Sequence, residues 1–361
     1  MNEQLLKIVQ DEILKSRGSS IRRRRSGNLS VASSAWVSTA RLKDEFGKAI
    51  SIVLNTVGCS HARGAAGGCS MCSYLLDGTT RSPTPEQLVT QFEGAMSKLD
   101  GESAPLSVKI YTSGSFLDPE EVPPNVLERV LELIAADDRV VQVVLESRPE
   151  YVSDEMMSQI RSVLEGRDIE IGIGLESSND DIRNICINKG FSLTDFQSAK
   201  KIAAKHGIGI RSYVLVKPPF LTERDSIVDA IKTITDAIQM GVTTVSVNPV
   251  NVQKYTLVEY LWRNREYRPP WLWSLVEILK RTHKESQGIV PIICDPVAPG
   301  KERGTHNCGK CDAAFASAIR DFSLHQDTEV FERLDCDCKK TWAHNLKHED
   351  ASNLVHATRM K

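Results

Sequence analysis

The chain has 361 residues, 41% of them hydrophobic and 25% charged, which suits a folded protein of one large domain and a smaller one. Its formal net charge of −2 excludes polyanion binding by bulk electrostatics, so any nucleic-acid surface must be a local patch. There is no run of eighteen apolar residues to span a membrane and no apolar signal-peptide core, so a cytoplasmic protein with reduced thiols and no membrane partner is expected.

Leu5, Leu6, Val9 and Ile13 predict a short amphipathic helix, and residues 1–48 read as an N-terminal basic arm, irregular and rich in Ser and Gly around 18–40. Arg22, Arg23, Arg24 and Arg25 form its strongest basic run, with Arg17 and Arg41 nearby. Four adjacent guanidinium groups suit RNA phosphates; a solvated charge run is the alternative. A short apolar strand is expected at 50–54, then a Gly-rich loop, then a helix over 84–99 opened by Thr-Pro-Glu. Further strands are expected at 107–111, 140–146, 169–175, 210–216 and 242–247, with helices between them at 125–136, 154–164, 194–206 and 223–240. That alternation implies parallel βαβ units. Six of them over residues 49–288 make an α/β fold, a partial (β/α)6 barrel, whose chemistry gathers at the C-terminal strand ends. After about residue 290 the rhythm gives way to Pro, Gly and Cys, so 289–361 reads as a small C-terminal Cys-rich metal module and tail.

Nine cysteines in a reducing compartment suggest metal rather than disulfides. Cys59, Cys69 and Cys72 share one loop directly after the first expected strand, made pliable by Gly64, Gly67 and Gly68. Three thiolates can hold three irons of a [4Fe-4S] cubane and leave the fourth iron open, where S-adenosylmethionine can chelate through its amino and carboxylate groups. Zinc there would want a fourth ligand, for which His61 is the one neighbour at hand. Cys308-x2-Cys311 and Cys336-x-Cys338 offer the four thiolates of a structural zinc site, with Cys294 and His306 as substitutes and a second iron–sulfur cluster as the alternative. A helix over 313–322 would join the two halves, so metal would help fold the module. Cys186, between apolar neighbours, reads as an inert buried thiol.

The cluster loop resembles that of the radical S-adenosylmethionine superfamily. Its C-x9-C-x2-C spacing is closer to the branch holding the Elongator catalytic subunit than to the commonest form. By that resemblance Ser113, Gly114 and Ser115, ending the second strand of the barrel, grip the cofactor's methionyl amine. Glu146 and Arg148 sit in a segment similar to the Glu-Thr-Arg-Pro of Elongator-like enzymes, and Glu176 is where a ribose or carboxylate contact is expected. Taken singly, each carboxylate suits an N-cap or a surface ion pair equally well. Arg211 and Lys217 bracket the next strand as candidate partners for the cofactor carboxylate or an anionic substrate, or as members of a satisfied ion pair. Asn248 and Gln253 at the last strand end place amides for a substrate edge, unless the Asn-Pro pair only makes a turn.

Longer stretches narrow the resemblance to the radical enzymes of archaeosine synthesis: Gly174-Leu-Glu-Ser-Ser178, Asn248-Pro-Val-Asn-Val-Gln-Lys-Tyr-Thr256, Tyr267-Arg-Pro-Pro-Trp-Leu-Trp-Ser274 and Gly304-Thr-His-Asn-Cys-Gly-Lys-Cys-Asp312. The resemblance implies a lyase that splits the side chain of a lysine carried on the preQ0 base at tRNA position 15. The nitrogen stays on the base as the formamidine of archaeosine. It further implies ArcS as the partner that attaches the lysine, and an electron donor to start the radical reaction. Tyr255, Trp271 and Trp273 are then candidates to stack on an extruded base, or else they seal the barrel. The competing readings are a radical enzyme acting on another RNA base, as Elongator does, and a non-enzymatic zinc-bound RNA-binding protein.

Overall fold

The computed structural model describes residues 2–18, 28–42 and 45–349. The arginine run at 22–25 therefore lies outside the described residues.

The chain opens with α1 (Asn2–Arg17), then β1 (Ser34–Leu42), β2 (Glu45–Val53), the one-turn α2 (Ser60–Arg63) and α3 (Pro85–Met96). Regular βα units follow: β3 (Leu106–Tyr111) with α4 (Pro124–Ala135), β4 (Val140–Ser147) with α5 (Asp154–Val163), β5 (Asp168–Glu176) with α6 (Leu193–Lys205), and β6 (Gly209–Val216) with α7 (Glu223–Gln239). Then come β7 (Thr244–Pro249), α8 (Leu257–Arg263), α9 (Leu272–Ser286), β8 (Ile292–Ile293), α10 (Asp312–His325) and α11 (Cys338–His348).

All eight strands form one sheet in simple chain order. β1 is antiparallel to β2, and every later neighbour is parallel. Right-handed crossovers that always step to the adjacent strand put the crossover helices on the same face, so the sheet curls into a half-barrel. β1 and β8 are its edges, and they do not pair with each other. The fold is thus a partial (β/α)6 barrel, β2 to β7, lengthened by a strand at each edge. Residues 34–42, expected to be irregular, are strand β1. Their Ser, Thr and Ala side chains blur the alternation, and pairing with β2 decides the conformation.

Period two explains which side chains face where. Ile50, Ile52, Val108, Ile110, Val143, Leu145, Ile171, Ile173, Val214 and Val245 are buried against Leu88, Phe92, Val130, Phe196 and Ile234 of the helices. The intervening residues, among them Lys109, Tyr111, Glu146, Tyr213, Ser246 and Asn248, point into the barrel and stay partly exposed. Helices begin where strands have just ended. Thr84, Ser153, Ser192, Thr222 and Thr256 each accept a backbone N–H from three residues on, a cap worth about 1 kcal/mol. Phe315, Ile319 and Phe322 of α10 belong to the same core as the strands. Among the described residues no helix is long and apolar enough to cross a membrane.

Candidate active site

Leaving β2, the chain turns at Gly58, whose φ of +82° suits glycine, and reaches Cys59 at the start of α2. Thr56 Oγ1 accepts from the Gly58 N–H and donates to Glu121 Oε2 at 2.7 Å. Glu121 Oε1 accepts from the Ser115 N–H at 2.8 Å, tying the cysteine loop to the end of β3. Burial pushes the Glu121 carboxyl up to about 7 against these hydrogen bonds. Between the two loops lies Gly114: a Cβ there would stand 2.5 Å from Cys59 Cα and 2.8 Å from Cys59 N. No side chain fits.

The far half of the loop is held by residues distant in sequence. Asn188 donates to Ala66 O and Gly68 O at 2.8 Å, Ser70 donates to Cys186 O, and Gln253 Oε1 accepts from the Ser73 N–H at 2.6 Å. Helix α1 lies over the same loop, and its Arg17 is buried and donates to Cys72 O at 3.1 Å and Cys69 O at 3.4 Å. Arg17 is thus a clamp on the cysteine loop rather than part of a basic surface. Gln253 likewise spends its carbonyl inside the protein, not on a substrate edge. His61 Nε2 is 2.7 Å from Asn188 O, and burial drives the ring down to about 4, so this nitrogen donates from a neutral ring and is not a metal ligand. Burial raises the Cys59 thiol and pushes Cys72 up to about 12. Cys186 is also raised to about 12 by burial, as befits an unreactive thiol.

Around the mouth, Ser113 Oγ is buried and finds no partner among the described residues. Ser115 Oγ accepts from the Arg148 N–H at 3.0 Å. Arg148 donates to Glu150 and to Lys189 O and lies over Phe191, with Cys59 and Cys69 in its field. The Glu146 carboxyl has no hydrogen bond among the described residues; burial, with Glu121 and Glu176 nearby, pushes it up to about 8 despite Lys189. Glu176, in the left-handed region at φ +65°, pairs with Lys189 at 2.8 Å. Desolvation works against the Lys189 charge, but Glu176 outweighs it and holds the amine above its ordinary value. Gly174 leaves room for this pair, since a Cβ there would run into both partners. Thr56, Glu121, Asn188 and Lys189 were not anticipated from the sequence; only the proximity of Asn188-Lys189-Gly190 to the strand-end glutamate hinted at a role.

Two expected cofactor contacts do not reach this mouth. Arg211 sits near the N-terminal ends of the strands, donating from Nε and Nη2 to buried Glu170, which also accepts from Thr243 and Thr244 at 2.6 Å. Lys217 is 2% exposed and is held by Glu223 at 2.7 Å and Glu349 at 3.2 Å. Two expected base-stacking residues are core instead. Trp271 is buried beneath Arg268, whose guanidinium stands 3.9 Å from the ring centroid, and Trp273 packs on Phe315 with centroids 4.4 Å apart. Tyr255 turns the chain at φ +61°, with its N–H on Glu259, and Asn248 faces the mouth beside Ser246.

The second cysteine group converges. Cys308, Cys311, Cys336 and Cys338 place their sulfurs within 4.8 Å of one another, the one such group among the described residues. Neighbouring sulfurs are 3.9, 3.7 and 3.7 Å apart. A tetrahedron with metal–sulfur bonds of about 2.3 Å has edges of about 3.8 Å, so the quartet fits a single ion. Asn307 and Trp273 each donate an N–H to one of these sulfurs at 3.4 Å, and backbone N–H groups, that of Lys310 foremost, draw the Cys308 thiol down to about 7. Cys294, buried in the barrel core, and His306, bonded to Gly304 O, stand outside the quartet and are not its ligands.

No family model matches the chain. It is 40% identical over 316 residues to archaeosine synthase subunit beta of Methanosarcina acetivorans, covering 88% of this chain and 90% of that protein. It is 38% identical over 317 residues to archaeosine synthase subunit beta of Thermococcus kodakarensis, covering 87% of this chain and 96% of that protein. Among solved structures, the Elp3 of Methanocaldococcus infernus superposes with a TM-score of 0.46 at 16% identity, over 67% of this chain and 60% of that one.

Proposed function

The chain belongs to the archaeosine synthase subunit beta family of radical S-adenosylmethionine enzymes, and on that premise we propose that it completes archaeosine on tRNA by breaking a carbon–nitrogen bond in lysine-modified preQ0. ArcS, which attaches the lysine, is the proposed partner subunit, an electron donor is required, and the work is done in the cytoplasm on tRNA carrying the modified base.

Cys59, Cys69 and Cys72 would hold the [4Fe-4S] cluster. Support comes from the loop itself: it stands at a C-terminal strand end, is clamped by α1 and Asn188, and leaves its three thiols to a ligand. The buried, unpartnered hydroxyl of Ser113 at the end of β3 supports S-adenosylmethionine lying across the ends of β3 and β4. Bound together, cluster and cofactor supply one-electron, hydrogen-abstracting chemistry that no side chain can provide.

The protein's share is orientation and shielding. Ser113 and the backbone of Gly114 and Ser115 would take the methionyl group. Glu146, free to accept or donate near neutral pH, would face the cofactor's polar edge, and the Glu176–Lys189 pair would fix its ribose end. Arg148 holds the two loops together and puts positive charge beside Cys59 and Cys69. Asn248 and Tyr255 border the mouth where the base would enter.

The C-terminal quartet would carry Zn2+, supported by sulfur spacings of 3.7 to 3.9 Å, and would staple α11 and the loop before α10 to α9 through Trp273.

The observation that carries this reading is the open three-thiol loop in a chain about 40% identical to an archaeosine synthase subunit beta. The test is anaerobic reconstitution followed by incubation with ArcS-lysinylated tRNA, reductant and S-adenosylmethionine. Archaeosine and 5′-deoxyadenosine should form together, and the C59A/C69A/C72A variant should lose cluster iron and both products. Cofactor cleavage without archaeosine would send the assignment to a different base.

A further inference from the structure

Below the mouth, the inner face of the barrel carries polar side chains that none of these roles uses. Lys109 of β3 points inward, partly exposed, while its strand neighbours Val108 and Ile110 are fully buried on the outer face. Among the described residues no hydrogen bond or ion pair engages its ammonium. Tyr111 lies two residues higher on the same face, and Arg211 and Tyr213 repeat the pattern on β6. The Arg211 guanidinium is already neutralised by Glu170, so its charge is spoken for. The Tyr213 hydroxyl is buried, with the Tyr111 hydroxyl as its polar neighbour on the same inner face. Gly172 makes room for the Tyr213 ring, since a Cβ there would stand 2.6 Å from its hydroxyl.

A primary amine and two phenols on the inner face, with Glu170 held by Arg211, Asp295 by Arg320, and the buried Glu146 carboxyl pushed up to about 8, form a donor-rich set that suits an anion. Burial, and then Arg211, push the Lys109 amine down to about 7; an arriving negative charge would reverse that cost. One cation flanked by hydroxyl donors suits a small oxyanion such as a carboxylate. Lys109 is three residues before Thr112, about 10 Å deeper at roughly 3.3 Å per residue. An extended lysine moiety entering from the mouth and the Lys109 side chain rising toward it bridge that depth together.

We propose that this inner pocket binds the carboxylate of the substrate's amino-acid end, with Lys109 as the pairing cation and Tyr111 and Tyr213 as hydroxyl donors. The inference rests on the reading above that lysine-modified preQ0 is the substrate. It explains how a lysine joined to the base through its side-chain nitrogen is presented. The carboxylate anchors deep in the barrel, the base stays at the mouth with the tRNA, and the carbon–nitrogen bond to be broken lies between them, near the cysteine loop. Lys109 is here a binding and specificity-determining residue.

The test compares tRNA whose preQ0 is joined to lysine with tRNA whose preQ0 is joined to cadaverine, the same chain without the carboxylate. For the wild type the cadaverine form should show a KM higher by about ten- to a hundredfold, the loss expected for a charge-assisted contact. K109M should bring the lysine form to the same high KM, shrinking the discrimination to about twofold, with cluster iron and the S-adenosylmethionine Kd at wild-type values. Wild type that handles both substrates equally overturns the pocket while leaving the substrate reading intact, and so does K109M that keeps full discrimination. Wild type that turns over neither overturns the substrate reading and the pocket with it. Should K109M fail to retain iron, Y213F is read in its place, with a several-fold narrowing expected and unchanged discrimination overturning the pocket.

Discussion

Replacing Gly114 by alanine tests whether the end of β3 and the cysteine loop form one cradle. The added Cβ would meet the Glu121 carboxylate and stand 2.5 Å from Cys59 Cα and 2.8 Å from Cys59 N. Glu121 cannot swing away cheaply, because its oxygens accept from Thr56 and the Ser115 N–H at 2.7 and 2.8 Å. The backbone of Cys59 must move instead. Overpacking of this kind costs about 1–3 kcal/mol, a loss that shows as a Tm drop of a few degrees. The larger effect falls on function, since the shift displaces a proposed cluster ligand: cluster iron per chain should fall by at least half, and cofactor cleavage by about tenfold or more, given how sharply rate depends on sub-ångström placement. G94A supplies the control. Gly94 is exposed on α3 and an added Cβ meets nothing within 4 Å, so this variant should gain about 0.4–1 kcal/mol. If G114A takes up iron and cleaves the cofactor like the wild type, the cradle argument is wrong.

K189M leaves the Glu176 carboxylate, only 9% exposed, without its partner and should cost about 3–5 kcal/mol in chemical denaturation, most of it recovered in E176Q/K189M; equal losses in the two variants would contradict the pairing. In cofactor-free protein Glu146 titrates near 8, against 4.5 as its ordinary value, so the folded chain keeps a proton that the unfolded chain releases. Stability attributable to this residue therefore falls as pH rises from about 4.5 through 8. E146Q should gain on the wild type across that window in thermal melts, and parallel curves would refute the assignment. If the quartet holds zinc as proposed, a chelator should free Cys338 from Trp273, shift the fluorescence of Trp273 and its neighbour Trp342, and lower the melting temperature, with recovery on adding Zn2+ back. Metal analysis that finds no zinc would dismiss this staple.

How far the site could be read in advance depended on how local each cause is. The cysteine loop, the βα rhythm and the Cys308–Cys311 pair announce themselves within a dozen residues, because turn chemistry, strand alternation and chelating spacing are local properties. Strand β1 was missed because its weak pattern becomes a strand only through pairing with β2. Arg211 and Lys217 looked like cofactor cations, but Glu170 and Glu223 neutralise them. Trp271 and Trp273 could have stacked on a base or sealed the barrel, and the start of α9 turns both into the core, which is the sealing role.

Composition and order of residues were enough to establish a half-barrel built from successive βα units, with three thiols at one strand end and four more toward the C-terminus. Which charges remain free was settled only by packing. Lys109 and Arg211 look alike as isolated inward-facing cations, but only Arg211 is hydrogen-bonded to Glu170 across the neighbouring strand. Whether a buried charge is satisfied is a property of a pair, and its two members here stand 41 residues apart.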